Sequence, residues 1–153
     1  MAIKMDIYGY LIIFLCTMAT IEICAWNMRA LASAGPYISE ITQTADVISL
    51  SEHRLYSSQL YKLDCFLPGF SCHAKASEDL RDSDCDNKPG HCGLLIAWKK
   101  YLDTKVKIIK ANSDRICAIK MSNIGVDGGN MYVIGVYMPH TQCQIADFGD
   151  HLS

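Results

Sequence analysis

The fold is decided by residues 21–55, which read IEICAWNMRAL at 21–31, PYISEITQT at 36–44 and ADVISLSEHRL at 45–55, and predict strand, helix and strand. Each apolar run ends on a polar residue where the chain would leave the sheet, Asn27 after the first and Glu52 after the second. A βαβ crossover makes its two strands parallel, and neighbouring parallel strands present their carboxyl ends at the same edge. Asn27 and Glu52 are therefore expected side by side. Ligands of open α/β sheets collect outside the carboxyl ends of the strands, so an amide and a carboxylate meeting there point to a hard-metal or phosphate site. Between the strands, residues 32–36 (ASAGP) form an expected turn with Pro36 at the first helical position. Tyr37, Ile38, Ile41 and Ala45 then recur at helical spacing as the face expected to pack on the sheet.

Working outward, residues 55–63 carry Leu55, Leu60 and Leu63 in a pattern suited to a short helix that ends before Pro68 and Gly69. Residues 71–90 turn to Ser, Asp, Glu, Lys and Pro, with Glu78, Asp79, Asp82, Asp84 and Asp86 close together, and are expected to be a surface loop. That acidic run lacks the glycine and closing glutamate of an EF-hand, so a solvated loop is preferred to a calcium loop. GHCGLLIAW at 90–98 reads as a buried strand entered through glycines, 106–109 and 116–121 as two more, and Asp127-Gly128-Gly129-Asn130 as a hairpin turn into a strand over 131–137. Together these are expected to form an antiparallel meander.

Half of the 153 residues are hydrophobic, enough for one domain with a sizeable core, which argues against disorder. The formal charge of −2 excludes a global basic footprint. Lys99, Lys100, Lys105, Lys107, Lys110, Arg115 and Lys120 nevertheless face only Asp103 and Asp114 in their interval, either as ordinary surface charges or as a local DNA-backbone face. Of the eight cysteines, Cys24 and Cys117 fall inside expected strands, where a reduced thiol behaves as a small hydrophobe, and a reducing compartment is expected. Cys65, Cys72, Cys85 and Cys92, with His73 and His91, lack a CxxC pair and are expected to be loop cysteines rather than zinc ligands. Residues 7–21 carry no charge; they are expected to belong to a hydrophobic N-terminal extension (1–19) that adds a strand or a loose helix. A signal peptide or membrane anchor at 7–21 is the alternative, and the run is short for a span, which needs about 20 apolar residues. An intracellular location, nuclear or cytoplasmic, is favoured.

The order WNMRAL, ADVISLSEHRL, GHCGLLIAWKK, DRICAIKM, YVIGVYMPHT resembles the endonuclease/exonuclease/phosphatase superfamily, most closely the endonuclease domain of non-LTR retrotransposons. Each segment is weak by itself, and their order carries the likeness. It covers about residue 20 to the end of the chain and only the front half of such a domain. The resemblance implies an α/β fold, a partial αββα sandwich comprising one sheet with flanking helices, over residues 20–153. It also implies Mg²⁺, with Mn²⁺ as a substitute, and the DNA phosphodiester backbone as partner; no dedicated protein partner is inferred. Glu52 resembles the family's metal-binding glutamate, and Asn27 the asparagine beside it that orients a metal-bound water or a phosphate oxygen. Tyr137 resembles the catalytic tyrosine whose hydroxyl reaches the scissile phosphate, and His53 and Arg54, directly after the glutamate, are placed to contact phosphate. Taken singly, the three main positions would read as a helix-capping asparagine, a surface glutamate and an interface tyrosine.

The chain departs from the family in that Ser51 stands where glutamine often precedes the glutamate. The later Asp-x-Asn and Ser-Asp-His segments are also unrecognisable. Asp147-Phe148-Gly149 resembles the first except that Gly149 stands where the amide belongs, Phe148 and Leu152 are expected to begin a helix, and His140 and His151 are poor substitutes for the family histidine. The expected function is thus that of a fragment of a Mg²⁺-dependent endonuclease-like domain, retroelement-derived and catalytically incomplete. The alternative is a non-catalytic interaction or remnant domain, tethered to a membrane by its apolar N-terminus.

Overall fold

A computed structural model of the chain describes residues 21–76, 92–124 and 128–138. The N-terminal extension, the acidic run, Cys85, His91 and the positions from Pro139 onward lie outside the described residues. Strand β1 (Ile23–Asn27), helix α1 (Leu31–Thr44) and strand β2 (Val47–Ser51) form the expected βαβ unit. A 3-10 turn (Ser57–Gln59), helix α2 (Lys62–Phe66) and strand β3 (Phe70–Lys75) follow. After β4 (Leu94–Lys99), a 3-10 segment (Lys100–Lys105) leads to β5 (Val106–Ile109), β6 (Ile116–Ile124) and β7 (Gly129–Val136).

Helix α1 begins at Leu31, ahead of the expected start at Pro36. The earlier start extends one apolar stripe, because Leu31, Ala34, Ile38 and Ile41 all meet the cluster beneath the helix and Ala34 is wholly buried. That burial offsets the N–H that Pro36 cannot donate. Tyr37, expected on the packed face, is instead 59 % exposed and stands edge-on to Trp26 at 5.8 Å.

The strands divide between two sheets, of order β1-β2-β4-β3 and β5-β6-β7, where one sheet was expected. β1 and β2 are parallel, and β4 lies antiparallel between β2 and β3. The meander therefore breaks after β4, where the 3-10 segment carries the chain across to the second sheet. Strand β3 replaces the beginning of the expected loop: its Ser, His and Lys blur the apolar alternation, but as an edge strand it needs only β4 for its ladder.

Both faces of the first sheet are covered, which is why β2 and β4 are almost entirely buried. Ile48, Leu50, Leu95 and Ala97 face the helices, while Val47, Leu94, Ile96 and Trp98 face Cys117, Ile119, Met121, Met131 and Val133 of the second sheet. Each fully buried aliphatic side chain here stabilises the fold by about 1.5–3 kcal/mol. The second sheet thus covers the apolar face of the first that points away from the helices. The opposite face of the second sheet carries exposed Tyr132 and Ile134, and among the described residues no helix packs over it. Cys117 donates its thiol to Leu94 O at 3.5 Å, and burial pushes that thiol up to about 12, so it stays protonated as a buried hydrophobe.

Two points hold the sandwich at its ends. At the far edge Asp46 accepts bonds from the Glu22 N–H (3.1 Å), Lys99 Nζ (3.2 Å) and Tyr101 Oη (3.0 Å). Burial by itself would raise the Asp46 carboxyl, but these donors outweigh it and hold the group below its ordinary value. Its contribution is therefore present above about pH 4 and is lost as pH falls through the lowered value. Toward the other edge the sheets meet at Gly135, where a Cβ would lie 2.9 Å from Ser49 Oγ and 3.5 Å from a Leu94 methyl carbon.

Two outcomes are expected. Urea unfolding should show Gly135→Ala destabilised by about 1–3 kcal/mol, the cost typical of overpacking, with part of the loss recovered when Ser49→Ala removes the hydroxyl. Asp46→Asn should flatten the acid limb of a stability-against-pH curve below about pH 4. A variant that keeps the wild-type slope there would contradict the part given to Asp46.

Candidate functional site

The site is built on the edge where β1 and β2 end together. In the parallel ladder Asn27 is the partner of Ser51, so the next residue along β2, Glu52, emerges beside Asn27. Asn27 Nδ2 donates to Glu52 Oε1 at 3.0 Å. The amide is oriented by its oxygen, which accepts the Arg29 N–H at 3.0 Å and turns the nitrogen toward the carboxylate. Asn27 thereby directs Glu52 more than it offers an oxygen of its own.

Tyr137 reaches the same carboxylate from the second sheet. It directly follows β7, its backbone N–H bonds Arg115 O at 2.9 Å, and its hydroxyl donates to Glu52 Oε1 at 3.4 Å. Residues 25 and 85 positions from Glu52 in sequence thus converge on one oxygen. The other oxygen, Oε2, forms an ion pair with Arg54 at 3.5 Å. The side chain of Glu52 is 18 % exposed and that of Arg54 43 %, so the pair is partly open to solvent. The backbone turns sharply to achieve this, with Glu52 at φ 60° and Arg54 at φ 56°, a left-handed conformation that costs a side-chain-bearing residue about 1–2 kcal/mol.

Of the residues expected at the site, Asn27, Glu52, Arg54 and Tyr137 are brought together. His53 is not among them, and its expected phosphate contact is corrected by its burial: only 1 % is exposed. Both ring nitrogens are taken by the backbone, Nδ1 by the Leu55 N–H at 3.1 Å and Nε2 by Lys75 O at 3.0 Å, which leaves neither for a phosphate. Ser51, in the position of the family's glutamine, is buried on β2. The seven basic residues of 99–120 do not make one face. Lys99 bonds Asp46 at the far edge, Lys107 and Lys120 pair across β5 and β6, and of the group Arg115 lies against Tyr137, its guanidinium 5.8 Å from the ring centroid.

Lys75 was not singled out in the sequence because FSCHAK reads as loop. It ends β3 at this edge, and its ammonium donates to the carbonyls of Ala111 (2.8 Å) and Ser113, tying the first sheet to the β5–β6 turn. A cleft of about 430 Å³ runs along there, lined by Ser57, Lys75, Asn112, Ser113 and Asp114 among others, and does not include Glu52.

The donor set has one carboxylate, and among the described residues no three His, Cys, Asp or Glu side chains cluster to hold a metal. Softer ions that need several protein ligands do not suit it. A hard cation that keeps several waters, takes one carboxylate and completes its shell with phosphate oxygens does, and Glu52 Oε2 is the oxygen free of Asn27 and Tyr137.

No protein-family model and no curated protein matches the chain. Among solved structures it is similar to the AP endonuclease LMAP from Leishmania major, with a TM-score of 0.58 and 13 % identity, over 78 % of this chain and 40 % of that one. The chain thus spans well under half the length of that protein. At this identity the likeness speaks for the fold: the chain has an α/β sandwich fold of the endonuclease/exonuclease/phosphatase type.

Proposed function

We propose that the chain is the front portion of a metal-dependent phosphodiesterase domain, derived from a retroelement endonuclease, whose Glu52 edge engages a divalent cation and a nucleic-acid phosphate. The observation that supports this best is the convergence of Asn27 and Tyr137 on Glu52 Oε1, with Oε2 paired to the partly exposed Arg54. Structural roles taken one residue at a time account for each contact but not for three chemistry-bearing side chains from two sheets meeting at the carboxyl edge, where ligands of α/β folds bind.

In this reading Glu52 would hold Mg²⁺ or Mn²⁺, and Asn27 keeps its carboxylate aimed. A cation bound there would polarise the phosphodiester and offset charge on its oxygens. Tyr137 would present its hydroxyl to a phosphate oxygen, and Arg54, partly exposed beside Glu52, would be placed to pair with the same phosphate. Arg115 over the Tyr137 ring adds positive charge beside the same oxygen. DNA is the substrate class that the likeness to an AP endonuclease supports.

We further propose that the 153-residue chain by itself binds the cation but does not turn over. Among the described residues the side chains bonded to Glu52 are Asn27, Tyr137 and Arg54, with no aspartate or histidine to activate water or meet the phosphate. Each such positioned group is worth about 10²–10⁴-fold, so lacking both costs about four or more orders of magnitude.

Electron paramagnetic resonance of Mn²⁺ and plasmid nicking test the two statements together. Mn²⁺ is expected to bind wild-type protein and to bind Glu52→Ala at least about tenfold more weakly, as expected on losing the carboxylate of the described site. Nicking with Mg²⁺ or Mn²⁺ should equal the chelator control. Equal Mn²⁺ binding by both proteins would overturn the site. Metal-dependent nicking that Glu52→Ala abolishes would keep the site and overturn the incompleteness, with Asp147 the first residue to test.

A further inference from the structure

We propose that His53 is a positioning residue: as a neutral ring carrying its hydrogen on Nε2, it holds the left-handed turn that aims Glu52 at Asn27 and Tyr137. This rests on Glu52 being the cation-holding carboxylate. Nothing in the sequence around a surface-exit glutamate calls for a buried imidazole at the next position, yet His53 is among the largest fully buried side chains of the chain.

Its hydrogen bonds specify one tautomer. A carbonyl oxygen only accepts, so the contact with Lys75 O requires a hydrogen on Nε2. The Leu55 N–H only donates, so Nδ1 must be bare. The ring thereby ties the turn to the end of β3 on one side and to its own downstream backbone on the other.

The surroundings are shaped to that ring. A Cβ on Gly93 would stand 2.4–2.6 Å from three ring atoms, so glycine leaves the space that the imidazole fills. Gly93 sits at φ 94° and Cys92 at φ 59°, facing Glu52 and Arg54, which are left-handed themselves. The two segments are laced by Glu52 N–H to Gly93 O at 2.7 Å and Arg54 N–H to Cys92 O at 3.0 Å. Two backbone hydrogen bonds thus join two unfavourable backbone turns, and the ring fills the space beside Gly93. Without the ring, the left-handed conformation of Glu52 would rest on the Glu52–Gly93 and Arg54–Cys92 backbone bonds alone, and the carboxylate would lose the tie of its turn to the end of β3.

The test compares full-length wild type with His53→Gln, which keeps one acceptor and one donor, and with His53→Leu, which keeps neither. Nitrogen NMR of the wild type should show a bare Nδ1, a protonated Nε2 and a through-bond coupling between Leu55 N and His53 Nδ1. The amide-to-Hα coupling of Glu52 should report φ near +60° in the wild type and His53→Gln and change in His53→Leu. Mn²⁺ affinity should follow it, near wild type in His53→Gln and about 10–100-fold weaker in His53→Leu, the range typical when an outer partner of a metal ligand is lost.

The opposite tautomer, or a folded His53→Leu with the wild-type Glu52 coupling, would overturn the proposal. So would a folded His53→Gln that loses that coupling, which also decides the matter should His53→Leu not fold. Should neither variant fold, the wild-type tautomer decides. Should Glu52→Ala bind Mn²⁺ as wild type does, the site reading fails by itself, and the Glu52 coupling still judges His53.

Discussion

The site depends on the pairing of Asn27 with Ser51 across the parallel β1–β2 ladder. A βαβ crossover leaves its two strands in the same direction, so whatever follows each strand comes out at one edge. Register does the rest. A slip of one residue would turn every β2 side chain to the other face, and because both faces are buried against different clusters, that slip would place Ser49 and Ser51 among the apolar side chains under the helices. Hydrophobic burial over five residues of β2 therefore fixes a polar contact at its end, the Asn27–Glu52 bond of 3.0 Å.

The second sheet completes what the first begins. Its inner face packs on Val47, Leu94, Ile96 and Trp98, and the close passage of Gly135 over Ser49 lets β7 run tightly enough for Tyr137 to reach Glu52. One carboxylate oxygen is then held by donors from both layers, and the other is paired to the partly exposed Arg54. The strained turn at Glu52 and Arg54 belongs to the same economy. Left-handed backbone at residues with side chains persists only where the surroundings over-determine it, and such positions cluster at functional sites.

The parts of this arrangement legible in the sequence are those set by local pattern. The apolar runs ending at Asn27 and Glu52 announced the strands and their common edge, and the hairpin signal over 127–130 announced β7. Partition into two sheets was not legible, because consecutive antiparallel strands carry the same alternation whether or not they pair, and the 3-10 segment of Lys100–Lys105 looks like any charged turn. The early start of α1 was masked by Gly35 and Pro36, whose local preference for a turn is overridden by the burial of Leu31 and Ala34. His53 was misread for a similar reason: adjacency to a site glutamate suggested a phosphate contact, whereas its role depends on Gly93, Lys75 and a backbone turn that no local pattern shows. Lys75 reaches the β5–β6 turn, and Arg115 the Tyr137 ring, only through tertiary contacts.

The central claim is that a cation and a phosphate meet the chain at the edge shared by Asn27, Glu52 and Tyr137. Mn²⁺ titrated into isotope-labelled protein broadens amide signals by proximity and so maps the ion directly. The account expects losses centred on residues 27, 52, 54 and 137, relieved by chelator. Broadening centred on the acidic run at 78–86, with the signals of 27, 52 and 137 left sharp, would contradict it.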